Sequence, residues 1–326
     1  MDTTSASERE FAKFGPWIDR VATVQDVPPL FRDYPLDVAS ARLVLKVPRA
    51  IARREAHAGM DLYDHLLVLT AERLTVLSRD TRGDRHRRQP QETGSYDVRS
   101  MPLHSVAALQ DSVSLLAGTF TILGRDGTQV SVPYNGSARE AITGLMLELV
   151  GSLKPITPRD VGLALVDPSH TYAAASQDLA MPTDTALVSA LRDVGRGRPQ
   201  LLPFAWHERS VLRAQGQGLV SLARRVLDSL TPMTLHGAIL ATDSHTLEVI
   251  GRNETMARGT GPVHSTTHLV IALDAIESVT LTLHPTYPTA VIASLDLGAS
   301  AVEVIVPSDS QAHRILWQAS EASARG

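Results

Sequence analysis

The strongest constraint on this chain is that its sequence repeats itself in order. Arg42-Leu43-Val44-Leu45-Lys46 returns as Arg209-Ser210-Val211-Leu212-Arg213, an offset of 167 residues. Ala52-Arg53-Arg54 returns as Ala223-Arg224-Arg225, offset 171. Leu69-Thr70 and Arg73-Leu74-Thr75-Val76-Leu77-Ser78-Arg79 are echoed by Ala241-Thr242 and Thr246-Leu247-Glu248-Val249-Ile250-Gly251-Arg252. Leu103-His104-Ser105-Val106 matches Leu273-Asp274-Ala275-Ile276 at offset 170, and Val130-Ser131-Val132-Pro133 matches Val304-Ile305-Val306-Pro307 at offset 174. Five pairings in one order, with offsets drifting by a few residues, describe one folding unit written twice, because surface loops absorb length changes cheaply.

Each copy reads the same way physically. Phe120 and Ile122 share one strand face, Arg125-Asp126-Gly127 makes a turn, and Val130 and Val132 point inward again, a hairpin signature. Val302, Val304 and Val306 line the corresponding strand of the second copy. Both copies then switch to helical period. Ser137-Ala138-Arg139-Glu140 reads as a capping box before the stripe Ile142, Leu145, Met146 and Leu149. Ser308-Asp309-Ser310-Gln311 repeats the device before Ala312, Ile315, Leu316 and Ala319, with Trp317 expected to anchor the helix on the sheets. The fold class is therefore β-rich α+β.

This order, with Leu67-Val68-Leu69-Thr70-Ala71-Glu72-Arg73-Leu74-Thr75-Val76-Leu77, resembles the bacterial pleckstrin-homology-like (PH-like) domains. In that family a strand ending in Thr leads through a short turn with Arg and Leu into the next strand. The second copy departs from the pattern, with His245-Thr246 in place of the Arg and one residue inserted. The resemblance implies two PH-like split β-barrels, each closed by a C-terminal helix, and a binding or scaffolding role rather than catalysis. The implied layout is an N-terminal helical extension over 1–35, a first domain over 36–154, a helical linker over 155–200 and a second domain over 201–326.

The segments outside the copies read as helical. A helix is expected around Trp17, Ile18 and Val21, ended by Pro28-Pro29. Thr157-Pro158-Arg159-Asp160 starts another, with Pro at the first helical position. Thr183 to Asp193 places Leu187, Val188 and Leu191 on one face, with Gly195 as the stop. Asp167 to Pro182 has loop composition between them.

Composition narrows function by exclusion. The chain of 326 residues suits two domains, and its net charge of −4 gives no pull toward nucleic acid. Aromatic residues are only 4%, few for stacking bases. There is no cysteine, which removes disulfides, thiolate zinc sites and cysteine nucleophiles. No G-x-S-x-G, G-x-x-x-x-G-K-[ST] or H-E-x-x-H motif occurs, and Gly216-Gln217-Gly218 lacks the rest of a dinucleotide fingerprint. Twelve histidines include His264 and His268 four apart, but Gly261-Pro262 and Ser265-Thr266-Thr267 place them in loop or strand. Neither metal nor cofactor is expected. The polar first ten residues carry no apolar stretch, so cytoplasmic residence is expected.

Only three basic residues are lysine against 31 in all, so arginine clusters here are weak pointers to phosphate. The most charged stretch, Arg79 to Arg88, carries the candidate binding residues Arg79, Arg82, Arg85, Arg87 and Arg88. Lys46, Arg53 and Arg54, near the hairpin where PH-like relatives hold inositol phosphates, are the second set. The leading expectation is protein–protein association or self-association through an exposed strand edge or this loop. The alternatives are peripheral binding to anionic lipids at the inner face of the membrane and an enzyme of unrecognised class.

Overall fold

Alternation of apolar and polar residues sends more of the chain into antiparallel strands than into helices. The computed structural model describes residues 6–80, 95–153, 157–166, 179, 181–215, 230–259 and 264–325. Strand makes up 40% against 26% helix, so the chain is a β-rich α+β protein, with four antiparallel sheets. In chain order the elements are α1 (Ala6–Lys13), β1 (Asp19–Arg20), β2 (Leu43–Pro48), β3 (Tyr63–Leu69), β4 (Arg73–Arg79), β5 (Tyr96–Pro102), β6 (Val106–Ser114), β7 (Ala117–Gly124), β8 (Gln129–Asn135) and α2 (Arg139–Ser152). They continue with α3 (Asp160–Leu165), α4 (Thr185–Gly197), β9 (Leu202–His207), β10 (Ser210–Leu212), β11 (Met233–Leu235), β12 (Ala238–Thr242), β13 (Thr246–Gly251) and β14 (Met256–Arg258). The last are β15 (Ser265–Ala272), β16 (Ser278–Leu283), β17 (Ala290–Asp296), β18 (Ala301–Pro307) and α5 (Gln311–Ser323).

Two compact units divide the chain. The first comprises Met1–Ser105, Leu116–Phe120 and Val130–Leu153. Its five-stranded sheet has the order β1-β2-β3-β4-β5. The core gathers Val44, Leu66, Val68 and Leu77 from that sheet and Phe14, Val21, Val27, Leu30 and Phe31 from the N-terminal segment. Phe31 is fully buried and meets Tyr96 edge to face at 5.5 Å.

The second unit comprises Val106–Leu115, Thr121–Gln129 and Lys154–Gly326. Five of the strands in a seven-stranded sheet lie wholly within it, in the order β6-β15-β13-β12-β9. Beside it stand the small sheets β10-β11-β14 and β16-β17-β18. Helix α5 packs on β16, β18, β9 and α3, and α4 covers β12 and β13. Among the described residues no sheet closes into a barrel, and no helix is long and apolar enough to cross a membrane.

Four strands, a one-turn 3-10 helix, three strands and a helix run from β2 through Leu103–Ser105 to α2. With the three-residue strands β10, β11 and β14 set aside, the same succession recurs with β9, β12, β13 and β15, then Leu273–Ala275, then β16 to β18 and α5. In this order β9, not β10, takes the position of β2: β9 pairs with β12 as β2 pairs with β3. The match of Arg42–Lys46 to Arg209–Arg213 is therefore displaced by several residues. Leu202–His207 hides its role because Leu202, Phe204 and Trp206 are apolar on a face that is only partly buried, so its sequence does not alternate between apolar and polar.

The helical stripes fall where the periodicity places them. Ile142, Leu145, Met146 and Leu149 are the buried residues of α2, and Ala312, Ile315, Leu316 and Ala319 those of α5. The caps differ from the expected boxes. Asn135 accepts from Ser137 N at 3.0 Å ahead of α2, and Ser310 accepts from His313 N at 3.1 Å to start α5. Trp317 is 53% exposed, stacked edge-on against His313 rather than set into the sheets. Near the N-terminus the helix spans Ala6–Lys13, because Gly15-Pro16 ends it; Asp19–Arg20 is extended and Trp17 is exposed. Helix α3 begins at Asp160 instead of Pro158, and α4 runs past Gly195 to Gly197. Arg224-Arg225 and Gly216-Gln217-Gly218 lie outside the described residues, as does most of Asp167 to Pro182.

The cap of α5 makes a direct test. Ser310→Ala is expected to lower unfolding stability by about 1 kcal/mol, whereas Ser308→Ala stays within about 0.5 kcal/mol, both read by urea denaturation. Equal losses would overturn the assignment of the cap.

Candidate functional site

In the second unit, β13 turns Thr246, Glu248 and Ile250 to one face and Leu247, Val249 and Gly251 to the other. The first face lies under α4, where Leu187, Val188 and Leu191 pack on Ile239, Ala241 and Ile250. A buried charge network sits on this face. Glu248 has no exposed surface and pairs with Arg198, while its second oxygen lies 2.7 Å from His268 Nε2. Arg198 also pairs with Asp243 and donates to Thr246 Oγ1 at 3.0 Å. Asp243 accepts from the backbone N–H groups of His245 and Thr246 at 3.1 and 2.8 Å. Burial pushes the Asp243 carboxyl up, but the Arg198 charge and these bonds together outweigh it and hold it below its ordinary value.

A second buried group gathers around Gly237. Arg252 donates to Asp184 Oδ1 at 3.0 Å and to Ser265 O at 2.9 Å. A Cβ at Gly237 would stand 2.6 Å from Asp184 Oδ2, so only glycine fits there. Asp184 Oδ2, His207 Nε2 and His236 Nε2 are buried without a hydrogen-bond partner among the described residues. Burial holds both imidazoles below their ordinary value, against the pull of Asp184. They are therefore neutral near pH 7, each with one donor and one acceptor nitrogen. Among the described residues no three His, Asp or Glu side chains are grouped as metal ligands are.

The opposite face of the sheet forms the floor of a groove of about 380 Å³. Gln110, Thr121, Val249, Thr267 and Leu269 contribute to the floor, and His236, Arg252 and Asn253 lie among the lining residues. One stretch of the lining is unusual: Ala301, Val302, Glu303, Val304 and Ile305, five consecutive residues of β18, all border the groove. Residues facing a cavity from a strand's flat face would alternate. A continuous run means that the strand presents its edge.

The hydrogen-bond phase agrees. Leu297 N donates to Ser300 O at 2.8 Å and Ser308 N to Thr289 O at 3.0 Å, at the two ends of the β17–β18 ladder. Antiparallel pairs alternate, so Val302, Val304 and Val306 bond to β17. Ala301, Glu303 and Ile305 turn their N–H and C=O groups to the free side, because β18 is the last strand of its sheet. One end is fastened by the turn after β7. Ala299 N donates to Arg125 O at 3.0 Å, and Ser300 Oγ to Gly124 O at 2.9 Å. Arg125 in turn is held by Asp274 at 2.6 Å. Gly298, at φ +93°, permits the approach, since a Cβ would meet Arg125 O at 2.9 Å.

The residues singled out from sequence lie elsewhere. Lys46 sits 3.5 Å from Glu10, donates to Asp26 O at 3.3 Å and stands over the Tyr63 ring at 4.6 Å. Arg53 donates to Phe14 O and to Ala12 O and stacks on Phe11. These two cations fasten the N-terminal segment to the first unit. Arg79 donates to Asp64 at 2.8 Å, and Arg54 is exposed beside Glu55. Arg82, Arg85, Arg87 and Arg88 lie outside the described residues. His268, weighed as a metal ligand, is in a strand and bonds Glu248. The groove residues were missed: attention to the inward valines of β18 passed over the alternate residues, whose backbone carries the free edge. No protein-family model, curated protein or solved structure matches the chain.

Two measurements check the buried groups. Arg198→Met strands two buried carboxylates and is expected to cost about 3–5 kcal/mol by chemical denaturation. His65, like His207 and His236, is depressed by burial. Below the ordinary value of 6.5 the unfolded chain takes up protons that these rings refuse when folded. The urea midpoint is therefore expected to fall from about pH 7 to about pH 5, and less steeply in His207→Gln/His236→Gln. An identical slope in that variant would contradict the assignment.

Proposed function

We propose that this chain is a non-catalytic binding protein whose second unit takes an extended segment of a partner protein as an added strand along β18. The observation that carries the reading is the outward edge at Ala301, Glu303 and Ile305, bordering an open groove. Unpaired peptide groups in a recess are a template for another backbone, and strand addition satisfies them in register. Five residues of β18 span about 17 Å, enough to engage a short peptide. Thr267, Gln110 and Asn253 offer uncharged hydrogen-bonding groups, and Leu269 and Val249 an apolar floor. His236 Nε2 adds a buried group whose hydrogen bond the bound chain supplies. Arg252 is already neutralised by Asp184, which disfavours a phosphate as the main determinant.

On the same reading, the chain is a tandem pair of PH-like split β-barrels, each closed by its C-terminal helix. What supports it is the order of four strands, 3-10 turn, three strands and helix, which recurs once the short strands of the separate β10-β11-β14 sheet are set aside. The reading places recognition on a strand edge, with phosphate-binding side chains in a lesser role.

A library of displayed random peptides panned against the purified full chain tests the proposal. Enriched peptides are expected to protect the amides of 301–305 from hydrogen exchange and to lose binding when alternate peptide amides are N-methylated. Glu303→Pro removes an outward donor and leaves the β17 ladder intact. Losing that main-chain bond, about 1 kcal/mol, and setting the proline ring against the added strand are expected to weaken binding about tenfold. Failure to enrich any peptide, or full-strength binding by Glu303→Pro, overturns the reading.

A further inference from the structure

We infer that the first unit carries a self-complementary strand edge, and that two copies of this chain associate by antiparallel pairing of β5 with its counterpart. Strand β5 is last in the order β1-β2-β3-β4-β5. Asp97, Val98, Arg99 and Ser100 are all exposed, and among the described residues no element covers either face of this stretch. Its hydrogen-bond phase is fixed at both ends, by Asp80 N to Ser95 O and Leu103 N to Glu72 O, each 2.8 Å. In the register Val76↔Arg99 and Ser78↔Asp97, the odd residues bond to β4. Tyr96, Val98 and Ser100 therefore direct their N–H and C=O groups outward. Pro102, the next of that series, has no N–H and marks the end of the usable edge.

A two-fold axis through Val98 sets Val98 against the partner subunit's Val98 and Tyr96 against the partner subunit's Ser100. All three outward residues of each strand then exchange both main-chain bonds. Between them, at positions without hydrogen bonds where facing side chains come closest, Asp97 stands opposite the partner subunit's Arg99, and the reverse. The charge pattern also selects this register. The neighbouring in-phase registers put Asp97 against Asp97 or Arg99 against Arg99, which like-charge repulsion disfavours. An edge whose charges suit its own inverted copy, and no slipped one, identifies a second copy of this chain as the occupant.

A single seam of two strands buries less than about 1,000 Å², so the expected dimer is reversible and concentration-dependent. Sedimentation velocity of the full chain from low micromolar to near-millimolar concentration is expected to show monomer passing to dimer. Val98→Pro takes away the central outward donor without touching the β4 ladder. It is expected to remain monomeric throughout, with an unchanged circular dichroism spectrum and thermal midpoint. Asp97→Arg opposes like charges and is expected to raise the dimer dissociation constant at least tenfold. Asp97→Arg/Arg99→Asp exchanges the signs and is expected to restore it. Glu303→Pro, which acts on the groove of the other unit, leaves self-association unchanged, so this inference and the peptide-binding reading fail separately. A wild-type monomer at every concentration overturns the inference. So does a dimer that survives Val98→Pro, or a charge exchange that does not restore association.

Discussion

A strand at the rim of a sheet bonds to its one neighbour through every second residue and leaves the alternate peptide groups pointing away. That rule governs the functional surface of this protein. In β18 it releases Ala301, Glu303 and Ile305, and in β5 Tyr96, Val98 and Ser100. Peptide groups left dry and unpaired cost more than most side-chain contacts return, so such edges need water or another chain. The valines of β18 that point inward hold the sheet together, while the residues between them set what it can bind. On the proposed reading, one strand serves the core through its side chains and a partner through its backbone.

The buried charges give the second unit its fixed frame. Arg198 joins the end of α4 to the turn before β13 and to Glu248 inside the sheet. Arg252 joins the start of α4, at Asp184, to β15 through Ser265. Each guanidinium ties both an acid and a neighbouring oxygen, so α4 is fastened at each end to the floor on which the groove is built. Removing water from these ions is costly, and the geometry must be well satisfied to offset it. A network of this kind specifies position more than it adds stability. Here Asp184 stands against Gly237, which with His236 lines the groove.

Much of the fold was legible in sequence wherever the determining residues are close together. The stripes of α2 and α5, the hairpin at Arg125–Gly127 and the order of elements in both copies follow from periods of two and 3.6. What was not legible depends on distant partners. Leu202–His207 lacks alternation because it carries apolar residues on both faces, one of them against α5, and the short apolar pair of Arg209–Arg213 is the nearer local match to Arg42–Lys46. Trp317 looks like an anchor by size, yet it sits beside the buried Leu316 and turns outward with His313. Lys46, Arg53 and Arg79 look like ligand groups by charge, but their partners Glu10, the carbonyls of Ala12 and Phe14, and Asp64 are identifiable only in the folded chain. Asp184 and Arg252 lie 68 residues apart, and no local pattern links them.

The other rims show how the two open edges differ from them. Strands β9 and β16 end their sheets but lie against α5. Strand β8 carries Pro133 within its span, and β1, β10 and β14 are two or three residues long. Cover, proline and brevity are the ordinary means of preventing unwanted pairing. Among the described residues β5 and β18 are full-length end strands with proline only at the last position, and each has a different guard. The edge of β18 is recessed above a sheet face, which admits a narrow extended segment and excludes the rim of a folded sheet. The edge of β5 is open, but Asp97 and Arg99 reject any strand that does not present the opposite order of charge. Recess and charge order are both filters on backbone pairing, and on the two proposed readings they select different partners: a flexible peptide in one unit and a second copy of the chain in the other.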